Sequence, residues 1–344
     1  MVSEPAIQGE PTATGNATAT QNAPIVETNK AIRVYFTDPN GPGANTHENG
    51  PDTALVEAID SARLTVDVAI YSLNLWSITD ALLRAKHRGL TVRMVMESDN
   101  MGNQEVQDLE AAGISIVGDQ QEGEMHDKFM VLDRKEVWTG SMNYTVSGGY
   151  EDNNDLVCIP SEEVAADYTN EFEKMYTNRL FGVEKTAGDP NPKVDLSGTQ
   201  VEILFSPEDK VETQIIQLID QAQKSIHFMM YSFTSSWIGE AIRSQAQAGL
   251  RVSGVMDETQ VKASEWSEYD IFKSDGMDVR LDSIAGLMHH KTIIIDEKIV
   301  ITGSYNLTNS AETTNDENTL ILFSPKIAEQ YMVEFHRLFS SATP

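Results

Sequence analysis

The sequence predicts an α/β protein made of two similar α/β/α sandwich lobes, whose mainly parallel sheets are related by pseudo-twofold symmetry. The first observation is that the pattern H-x-K-x4-D-x6-G-S-x-N occurs twice, within residues 125–145 and 288–310. The second is that helical and β-rich segments alternate in the same order in both halves. Such alternation is typical of a sheet covered by helices, and an internal repeat indicates that one unit is present twice.

Each half begins with an amphipathic helix and a buried strand that ends at Tyr-Ser. A second helix, closed by Gly89 or Gly249, and another buried strand follow. Glycine after the last periodic residue is a common helix terminator. A short helix and strand then lead into the repeated pattern, and a terminal helix closes each half. The matching segments are 54–73 with 214–233, 78–97 with 238–257, 106–117 with 269–281, and 170–181 with 333–339.

These segments divide the chain into a first lobe at residues 31–181 and a second lobe at residues 199–344, joined by a linker at residues 182–198. The linker is rich in Gly, Pro and Asp. Residues 1–30 lack periodicity and are rich in Ala, Thr, Asn, Pro and Gly, which predicts a disordered leader. Either the native protein begins with this leader, or the leader is a tether left after removal of a signal or lipoprotein segment. The second alternative predicts a secreted or extracytoplasmic protein.

The composition favours a soluble globular protein. A chain of 344 residues with 40% hydrophobic residues can form a sizeable core. Cys158 is the only cysteine, which excludes an intramolecular disulfide, and no run reaches the roughly 18 apolar residues of a membrane span. The net charge of −28 weakens nonspecific affinity for nucleic acids, but a cleft can still be locally positive. We expect the monomer to be functional, with no obligate protein partner.

The repeated pattern brings together side chains that suit phosphate chemistry. His126 and Lys128 share one face of a strand, as do His289 and Lys291. The lysine can bind phosphoryl oxygens while the ring nitrogen attacks phosphorus. Two histidines allow one nucleophile and one general acid. Because a cation site would have carboxylates where these lysines lie, we expect no metal and no cofactor.

Other side chains near the pattern are assigned weaker roles. The following turn adds neutral donors, which are Ser141, Asn143, Ser304 and Asn306. Asp127 and His290 point away from the shared face and are interpreted as structural or peripheral. Three tryptophans in or near loops after strands could line a cleft, but packing in the core or at the rim is equally compatible with their positions, so they are not assigned to the site. These are Trp76, Trp237 and Trp266. The remaining histidines, His47, His87, His227 and His336, are interpreted as structural.

Both copies of the pattern resemble the HKD signature of the phospholipase D superfamily, and the resemblance covers nearly the whole chain after the leader. Members cleave or transfer phosphodiesters through a covalent phosphohistidine and without a metal. The resemblance therefore implies one pocket between the lobes, formed by the residues that match the signature. These are His126, Lys128, Asn143, His289, Lys291 and Asn306. It also implies that Asp133 and Asp296 support the structure.

The resemblance further implies different roles for the two histidines. In the family a carboxylate orients the histidine of the opposite lobe, and Glu317 occupies that position. Glu317 then braces His126 as the nucleophile, while His289 protonates the leaving oxygen and later activates water. The first half departs from this pattern, with Asn153 or Asn154 at the corresponding place and Asp155 adjacent. Asp155 is the candidate support for His289.

The first hypothesis is a nuclease-like hydrolase that cleaves nucleic-acid phosphodiesters. The sequences MHHK, GSYN and NDEN resemble the short nuclease-like members, which favours cleavage of DNA or RNA. The absence of large inserted loops favours the same compact plan. The alternative is a phospholipase D that hydrolyses or transphosphatidylates phosphatidylcholine-type lipids, and the acidic charge favours a lipid or a small diester. A third hypothesis, a non-catalytic phosphate-binding scaffold, is disfavoured because both motifs are intact.

Overall fold

A computed structural model of the protein describes residues 1–2, 31–188 and 192–343. The strands of the first half are β1 (Arg33–Phe36), β2 (Thr65–Ile70), β3 (Thr91–Met96), β4 (Ser115–Gly118), β5 (Lys128–Leu132), β6 (Glu136–Gly140) and β7 (Asp155–Ile159). Those of the second half are β8 (Lys193–Leu196), β9 (Thr199–Ser206), β10 (Ser225–Met230), β11 (Arg251–Met256), β12 (Asp278–Leu281), β13 (Lys291–Ile295), β14 (Ile299–Gly303) and β15 (Glu317–Phe323).

Helices connect and cover these strands. The helices of the first half are α1 (Pro51–Ser61), α2 (Trp76–His87), α3 (Gln104–Ala111), α4 (Val146–Tyr150) and α5 (Glu162–Tyr176). Those of the second half are α6 (Val211–Asp220), α7 (Ser236–Gln247), α8 (Glu258–Ala263), α9 (Tyr269–Ser274), α10 (Asn309–Thr313) and α11 (Pro325–Ser341). Short 3₁₀ helices lie at Ala44–Thr46, Ser98–Asn100 and Gly182–Glu184.

The strands form two sheets, one in each lobe, so the predicted two-lobed α/β fold is confirmed. The first sheet has the order β1-β7-β6-β5-β2-β3-β4, and the second has the order β12-β11-β10-β13-β14-β15-β9-β8. Strand β5 of the first sheet and strand β13 of the second carry the lysines of the two motifs. Both strands lie in the interior of their sheets, where neighbouring strands fix their position on both sides.

Both sheets contain parallel and antiparallel pairs of strands, whereas mainly parallel sheets were predicted from the sequence. Among the strands that the structure describes, β2-β3-β4 and β10-β11-β12 pair in parallel, and the other neighbours are antiparallel. The reason lies in the tight turn inside each motif. Asp133 and Arg134 have φ angles of 52° and 56°, and Asp296 and Glu297 both have 56°. Two consecutive left-handed residues are typical of a β-hairpin turn, which makes the joined strands antiparallel.

The two lobes share a continuous apolar interface. Helix α5 packs on the first sheet and also contacts β9, whereas α11 packs on the second sheet and also contacts β1. Tyr168 of α5 contacts both Phe129 of β5 and Phe205 of β9 edge to face, with ring centroids 5.0 and 5.2 Å apart. Phe36 of β1 contacts Tyr331 of α11 in the same way at 5.0 Å. These contacts hold the sheets in one fixed arrangement.

The second sheet begins earlier than the predicted boundary at residue 199. Strand β8 lies within the predicted linker and pairs with β9 through a hairpin. Its turn contains Ser197 and Gly198, with φ angles of 55° and 90°. Apart from residues 1 and 2, the predicted leader lies outside the described residues, as do linker residues 189–191. In the described part of the chain no helix is sufficiently long and apolar to cross a membrane.

Candidate active site

The two motif histidines lie just before β5 and β13, on backbone that pairs with the opposite lobe. The His126 N–H donates to the carbonyl oxygen of Asp316 at 3.0 Å, and the His289 N–H donates to that of Asn153 at 2.9 Å. Both residues are buried, with 6% of the surface of each residue exposed. Each histidine is therefore held in place by the other lobe, which is the arrangement expected of a site between them.

Glu317 lies beside His126, as the resemblance implied. Its Oε2 accepts hydrogen bonds from His126 Nδ1 at 2.8 Å and from Ser304 Oγ at 2.6 Å. Burial alone would raise the pKa of Glu317, but His126, Lys128 and Ser304 together lower it. Because an ionised carboxylate can only accept hydrogen bonds, Nδ1 of His126 carries the hydrogen and Nε2 keeps its lone pair.

Asn154 takes the equivalent place beside His289. Its Oδ1 accepts hydrogen bonds from His289 Nδ1 at 2.9 Å and from Ser141 Oγ at 2.8 Å. Its Nδ2 donates to the carbonyl oxygen of Gly148 at 2.9 Å, which fixes the orientation of the amide. An amide oxygen selects the same tautomer as a carboxylate but adds no negative charge. The two histidines are thus braced unequally.

The expectation that Asp155 supports His289 is wrong. Asp155 Oδ2 accepts hydrogen bonds from Tyr331 OH at 2.6 Å and from Thr302 Oγ1 at 2.8 Å, and its Oδ1 lies 3.5 Å from His290 Nδ1. Successive residues of an extended chain point to opposite sides. Since Asn154 points towards His289, Asp155 points away from it and into the interface between the lobes.

Asp127 and His290, which follow the catalytic candidates, are fully buried behind the site. Asp127 Oδ1 accepts a hydrogen bond from Asn318 Nδ2 at 2.9 Å, and His290 Nε2 lies 3.3 Å from Glu334 Oε1. Burial would lower the pKa of His290, but its contacts with Asp155 and Glu334 raise it. Asp127 thus binds the second lobe, and His290 lies between Asp155 of the first lobe and Glu334 of α11. These contacts agree with the structural role predicted for both residues.

The two lysines place positive charge in the same buried region. Lys128 Nζ donates to the carbonyl oxygen of His126 at 2.6 Å, and Lys291 Nζ donates to that of His289 at 2.8 Å. Burial lowers the pKa of Lys128 to about 8. Burial and the charge of Lys128 hold the pKa of Lys291 well below its ordinary value. An anion bound here would relieve this repulsion, so the site is suited to a phosphate group.

The same electrostatics show that both motifs belong to one site. Burial lowers the pKa of His126, and Lys128 and Lys291 add to this effect against the opposing influence of Glu317. Burial, Lys291, Lys128 and His126 together lower the pKa of His289 far below its ordinary value. Lys128 of the first lobe thus acts on His289 of the second, and Lys291 of the second lobe acts on His126 of the first. Such interactions weaken with distance, so the two His–Lys pairs lie close together.

The remaining predicted residues occupy two kinds of position. Asn143 and Asn306 are half-buried in the turns after β6 and β14, and their Oδ1 atoms are buried without a hydrogen-bond partner among the described residues. Asp133 lies outside the pocket and accepts hydrogen bonds from the backbone N–H groups of residues 63, 64 and 65. Asp296 does the same for residues 223, 224 and 225. These contacts tie each motif turn to the start of the neighbouring strand.

Two tyrosines of the site were not predicted as site residues. The Tyr71 ring contacts His126 edge to face at 5.0 Å, and Lys128 Nζ lies 5.1 Å from its centroid. Tyr231 contacts His289 at 4.7 Å and has Lys291 Nζ 4.8 Å from its centroid. The Tyr-Ser pair that ends the same strand in both halves was the signal for them. Each tyrosine forms one wall beside a histidine and offers its ring face to a lysine.

Two acidic residues near the site were also not predicted from the sequence. Glu97 Oε2 accepts a hydrogen bond from the N–H of Met125 at 3.0 Å, and Asp257 Oδ2 accepts one from the N–H of Met288 at 3.0 Å. Each methionine directly precedes a motif histidine. Glu97 and Asp257 therefore fix the backbone that carries these histidines. Their signal was their matching place after the second buried strand of each half.

Together, the duplicated α/β lobes and the two buried His–Lys pairs define a class of α/β protein with one basic motif in each of its two equivalent halves. A family model described as "Cardiolipin synthase, PLD-like domain" matches residues 55–176 and 215–339, which make up more than half of the chain. The chain belongs to this family and thus to the phospholipase D superfamily, as the motifs predicted.

Individual relatives match mostly about one lobe's length. A protein of Rickettsia prowazekii named phospholipase D is 34% identical over 138 residues, which are 40% of this chain and 67% of the relative. A mitochondrial cardiolipin hydrolase of Mus musculus is 31% identical over 132 residues, 38% of this chain and 59% of the relative. The crystal structure of a phosphatidylserine synthase from Haemophilus influenzae covers 90% of this chain and 87% of its own, with 16% identity and a TM-score of 0.68. At this identity the likeness concerns the fold.

Proposed function

We propose that this phosphodiesterase of the phospholipase D superfamily cleaves its substrate through a covalent phosphohistidine on His126, with His289 as the general acid and base. The observation that carries the proposal is the unequal bracing of the two histidines. Nδ1 of His126 contacts the carboxylate of Glu317, whereas Nδ1 of His289 contacts the amide oxygen of Asn154. A carboxylate stabilises the positive charge that a histidine gains when its other nitrogen bonds to phosphorus, and an amide does so less well.

The reaction then has two balanced steps. In the first, the Nε2 lone pair of His126 attacks phosphorus, the bond from phosphorus to the leaving oxygen breaks, and that oxygen takes a proton from Nε2 of His289. In the second, His289 accepts a proton from water as the water oxygen attacks phosphorus and the bond to His126 breaks. Lys128 and Lys291 bind the phosphoryl oxygens in both steps.

The lowered pKa of His289 is compatible with this role. Burial and the nearby positive charges of Lys291 and Lys128 lower the pKa of His289 and disfavour its protonation. A bound diester brings negative charge next to Lys128 and Lys291, which offsets this repulsion and favours the protonated form that the first step requires. Protonation of His289 is thus coupled to substrate binding. Each motif histidine lies beside a lysine ammonium group, which would repel a cation, so we propose that no metal takes part.

Phospholipid is the substrate class that we favour. Trp76 and Trp237 lie in the first turns of α2 and α7, directly after the loops that carry Tyr71 and Tyr231. They are 46% and 67% exposed, and Trp266, between α8 and α9, is 79% exposed. Exposed tryptophan suits the polar–apolar boundary of a bilayer. Relatives named phospholipase D and cardiolipin hydrolase, together with the net charge of −28, support the same choice.

Nucleic acid is the second candidate. The sequences MHHK, GSYN and NDEN, which resemble nuclease-like members, favour it. Exposed tryptophans could also stack on the bases of a single strand. Against this candidate, a strongly acidic chain repels a phosphate polymer more than it repels a zwitterionic lipid.

The covalent mechanism is tested with radiolabelled phosphodiester in excess EDTA. Wild-type protein quenched during turnover should carry label that is stable to base and labile to acid, as expected for a phosphohistidine. His126→Asn should carry none and should not turn over. His87→Asn, which changes an exposed histidine outside the motifs, is the matched control and should behave as wild type. Full turnover by His126→Asn, or loss of wild-type activity in EDTA, would contradict the proposal.

The substrate class is tested by comparing the same proteins on phosphatidylcholine vesicles, single-stranded DNA and duplex DNA. We expect choline release that is lost in His126→Asn and nearly independent of salt, because the lipid is zwitterionic. Substitution of Trp76 or Trp237 by alanine should weaken binding to the vesicles. DNA cleavage that falls steeply with salt, without choline release, would instead establish the nuclease candidate.

A further inference from the structure

The linker between the lobes inserts a buried lysine next to the catalytic site. The Lys185 side chain is fully buried and forms ion pairs with Asp316 Oδ1 at 2.8 Å, Glu208 Oε2 at 3.5 Å, and Glu171. Its Nζ also donates to the carbonyl oxygen of Ser206 at 3.2 Å. These partners come from α5 of the first lobe and from two separate segments of the second. Lys185 therefore ties both lobes together at one point.

Burial would lower the pKa of Lys185, but Asp316, Glu171 and Glu208 raise it well above its ordinary value. The ammonium group is thus charged at neutral pH. A buried charge is costly unless its partners are held in place, and removal of one partner leaves the others unpaired. This cluster has a defined geometry that depends on the lysine.

Asp316 connects this cluster to the nucleophile. Its side chain is held by Lys185, by the Gly182 N–H at 2.7 Å and by Gln121 Nε2 at 2.7 Å. Its backbone N–H donates to the carbonyl oxygen of Glu124 at 2.9 Å, and its own carbonyl oxygen accepts from the His126 N–H at 3.0 Å. The next residue is Glu317, which braces the ring of His126. The position of Asp316 thus sets both contacts of His126 with the second lobe.

The other half of the molecule has an equivalent arrangement. Asn153 pairs through its backbone with Leu287 and His289, and its Oδ1 accepts a hydrogen bond from Arg337 Nη2 at 3.0 Å. The residue after it is Asn154, the brace of His289. In both halves a basic side chain from outside the motif therefore holds the residue that precedes the brace. The recurrence favours a functional requirement over a chance ion pair.

We propose that Lys185 is a positioning residue for the reaction, which holds Asp316 so that Glu317 and the backbone keep His126 in line for attack on phosphorus. This inference rests on the function proposed above, because it assigns the first covalent step to His126. Lys185 itself does not touch the substrate. Its loss should slow formation of the phosphohistidine and leave substrate binding unchanged, since Lys128 and Lys291 keep their own contacts.

The test is Lys185→Met, assayed by the pre-steady-state burst of p-nitrophenolate from methyl p-nitrophenyl phosphate. This leaving group needs little help from an acid, so the burst rate constant reports the attack by His126, and the burst amplitude reports the fraction of competent molecules. We expect the rate constant to fall about 10- to 100-fold, as expected for a displaced reactive group, with amplitude and KM within about twofold of wild type. Lys193→Met, which removes an exposed linker lysine paired with Glu202, should retain the wild-type rate constant.

Three results have distinct meanings. Release of p-nitrophenolate by His126→Asn at the wild-type rate would overturn the proposed function itself. A normal wild-type burst with an unchanged rate constant in Lys185→Met would overturn only the role of Lys185, even if the amplitude fell, because a lower amplitude indicates fewer folded molecules. If Lys185→Met does not fold, the double variant Lys185→Met/Asp316→Asn removes opposite charges together, and the same fall in rate constant is expected.

Discussion

Glu317→Gln gives a direct test of how the two histidines are assigned. The carboxylate accepts hydrogen bonds from His126 Nδ1 and Ser304 Oγ on Oε2 and from Asn315 Nδ2 on Oε1. A glutamine cannot satisfy all three donors. With its oxygen towards His126, its NH₂ group faces the NH₂ group of Asn315. With the amide rotated, its NH₂ group faces Nδ1 of His126 and favours the tautomer whose Nε2 carries hydrogen and cannot attack.

The size of the effect follows from the lost charge. A hydrogen bond to a charged group contributes about 1.5–3 kcal/mol, which corresponds to about 10- to 150-fold in a rate constant at about 1.4 kcal/mol per factor of ten. We expect the burst rate constant of Glu317→Gln to fall by this factor or more. The rotated amide adds to the loss because it favours the tautomer of His126 that cannot attack phosphorus. KM should change little, since Lys128 and Lys291 remain.

The burst of p-nitrophenolate described above is the appropriate assay, since it isolates formation of the phosphohistidine. Glu202→Gln serves as control because it also neutralises a buried carboxylate, but one on β9 that pairs with Lys193. A rate constant for Glu317→Gln equal to that of wild type would refute the assignment of His126 as the braced nucleophile. A loss confined to substrates with poor leaving groups would instead assign His126 as the acid.

Three further predictions concern the lysine, the motif aspartate and a buried histidine. KM should rise when the pH passes above about 8, because Lys128 loses its proton there and no longer attracts the diester. A KM that is the same below and above pH 8 would contradict the role of Lys128. Asp133→Ala should lower the free energy of unfolding in urea by about 1–3 kcal/mol without changing the burst rate constant. In the described structure its carboxylate binds backbone N–H groups. A lower burst rate constant with an unchanged free energy of unfolding would show a catalytic role. Burial lowers the pKa of His227 from its ordinary value of 6.5 to about 4. Between these two pH values the unfolded chain binds a proton at this histidine that the folded chain does not bind. The free energy of unfolding therefore falls as the pH decreases through this range. His227→Asn should therefore lose less melting temperature than wild type between neutral and acidic pH, and an equal loss would contradict the assignment.

Much of the fold and of the site could be predicted because the chain repeats itself. The recurrence of the same spacing in both halves located His126, Lys128, His289 and Lys291 without any structure. The resemblance also implied the contact between Glu317 and His126, and this contact is present at 2.8 Å. These features are local in sequence or repeated, so they need no knowledge of how the lobes pack.

The features that could not be predicted depend on one-residue geometry or on packing between lobes. Whether Asn154 or Asp155 reaches His289 is decided by the register of β7, since neighbouring residues of a strand point in opposite directions. The burial of Lys185 depends on where the linker crosses between α5 and Asp316. The antiparallel pairing within the motifs was signalled by the tight turns, but the alternation of helices and strands suggested parallel sheets instead.

The unequal braces have a consequence for how such a site can change over time. In an enzyme assembled from two identical chains, any substitution at the brace appears twice and alters both histidines together. Here both halves lie in one polypeptide, so Glu317 and Asn154 could differ while the surrounding contacts stayed equivalent. Two copies of the unit within one chain can thus carry different braces, as the proposed division between a nucleophile and a proton donor requires.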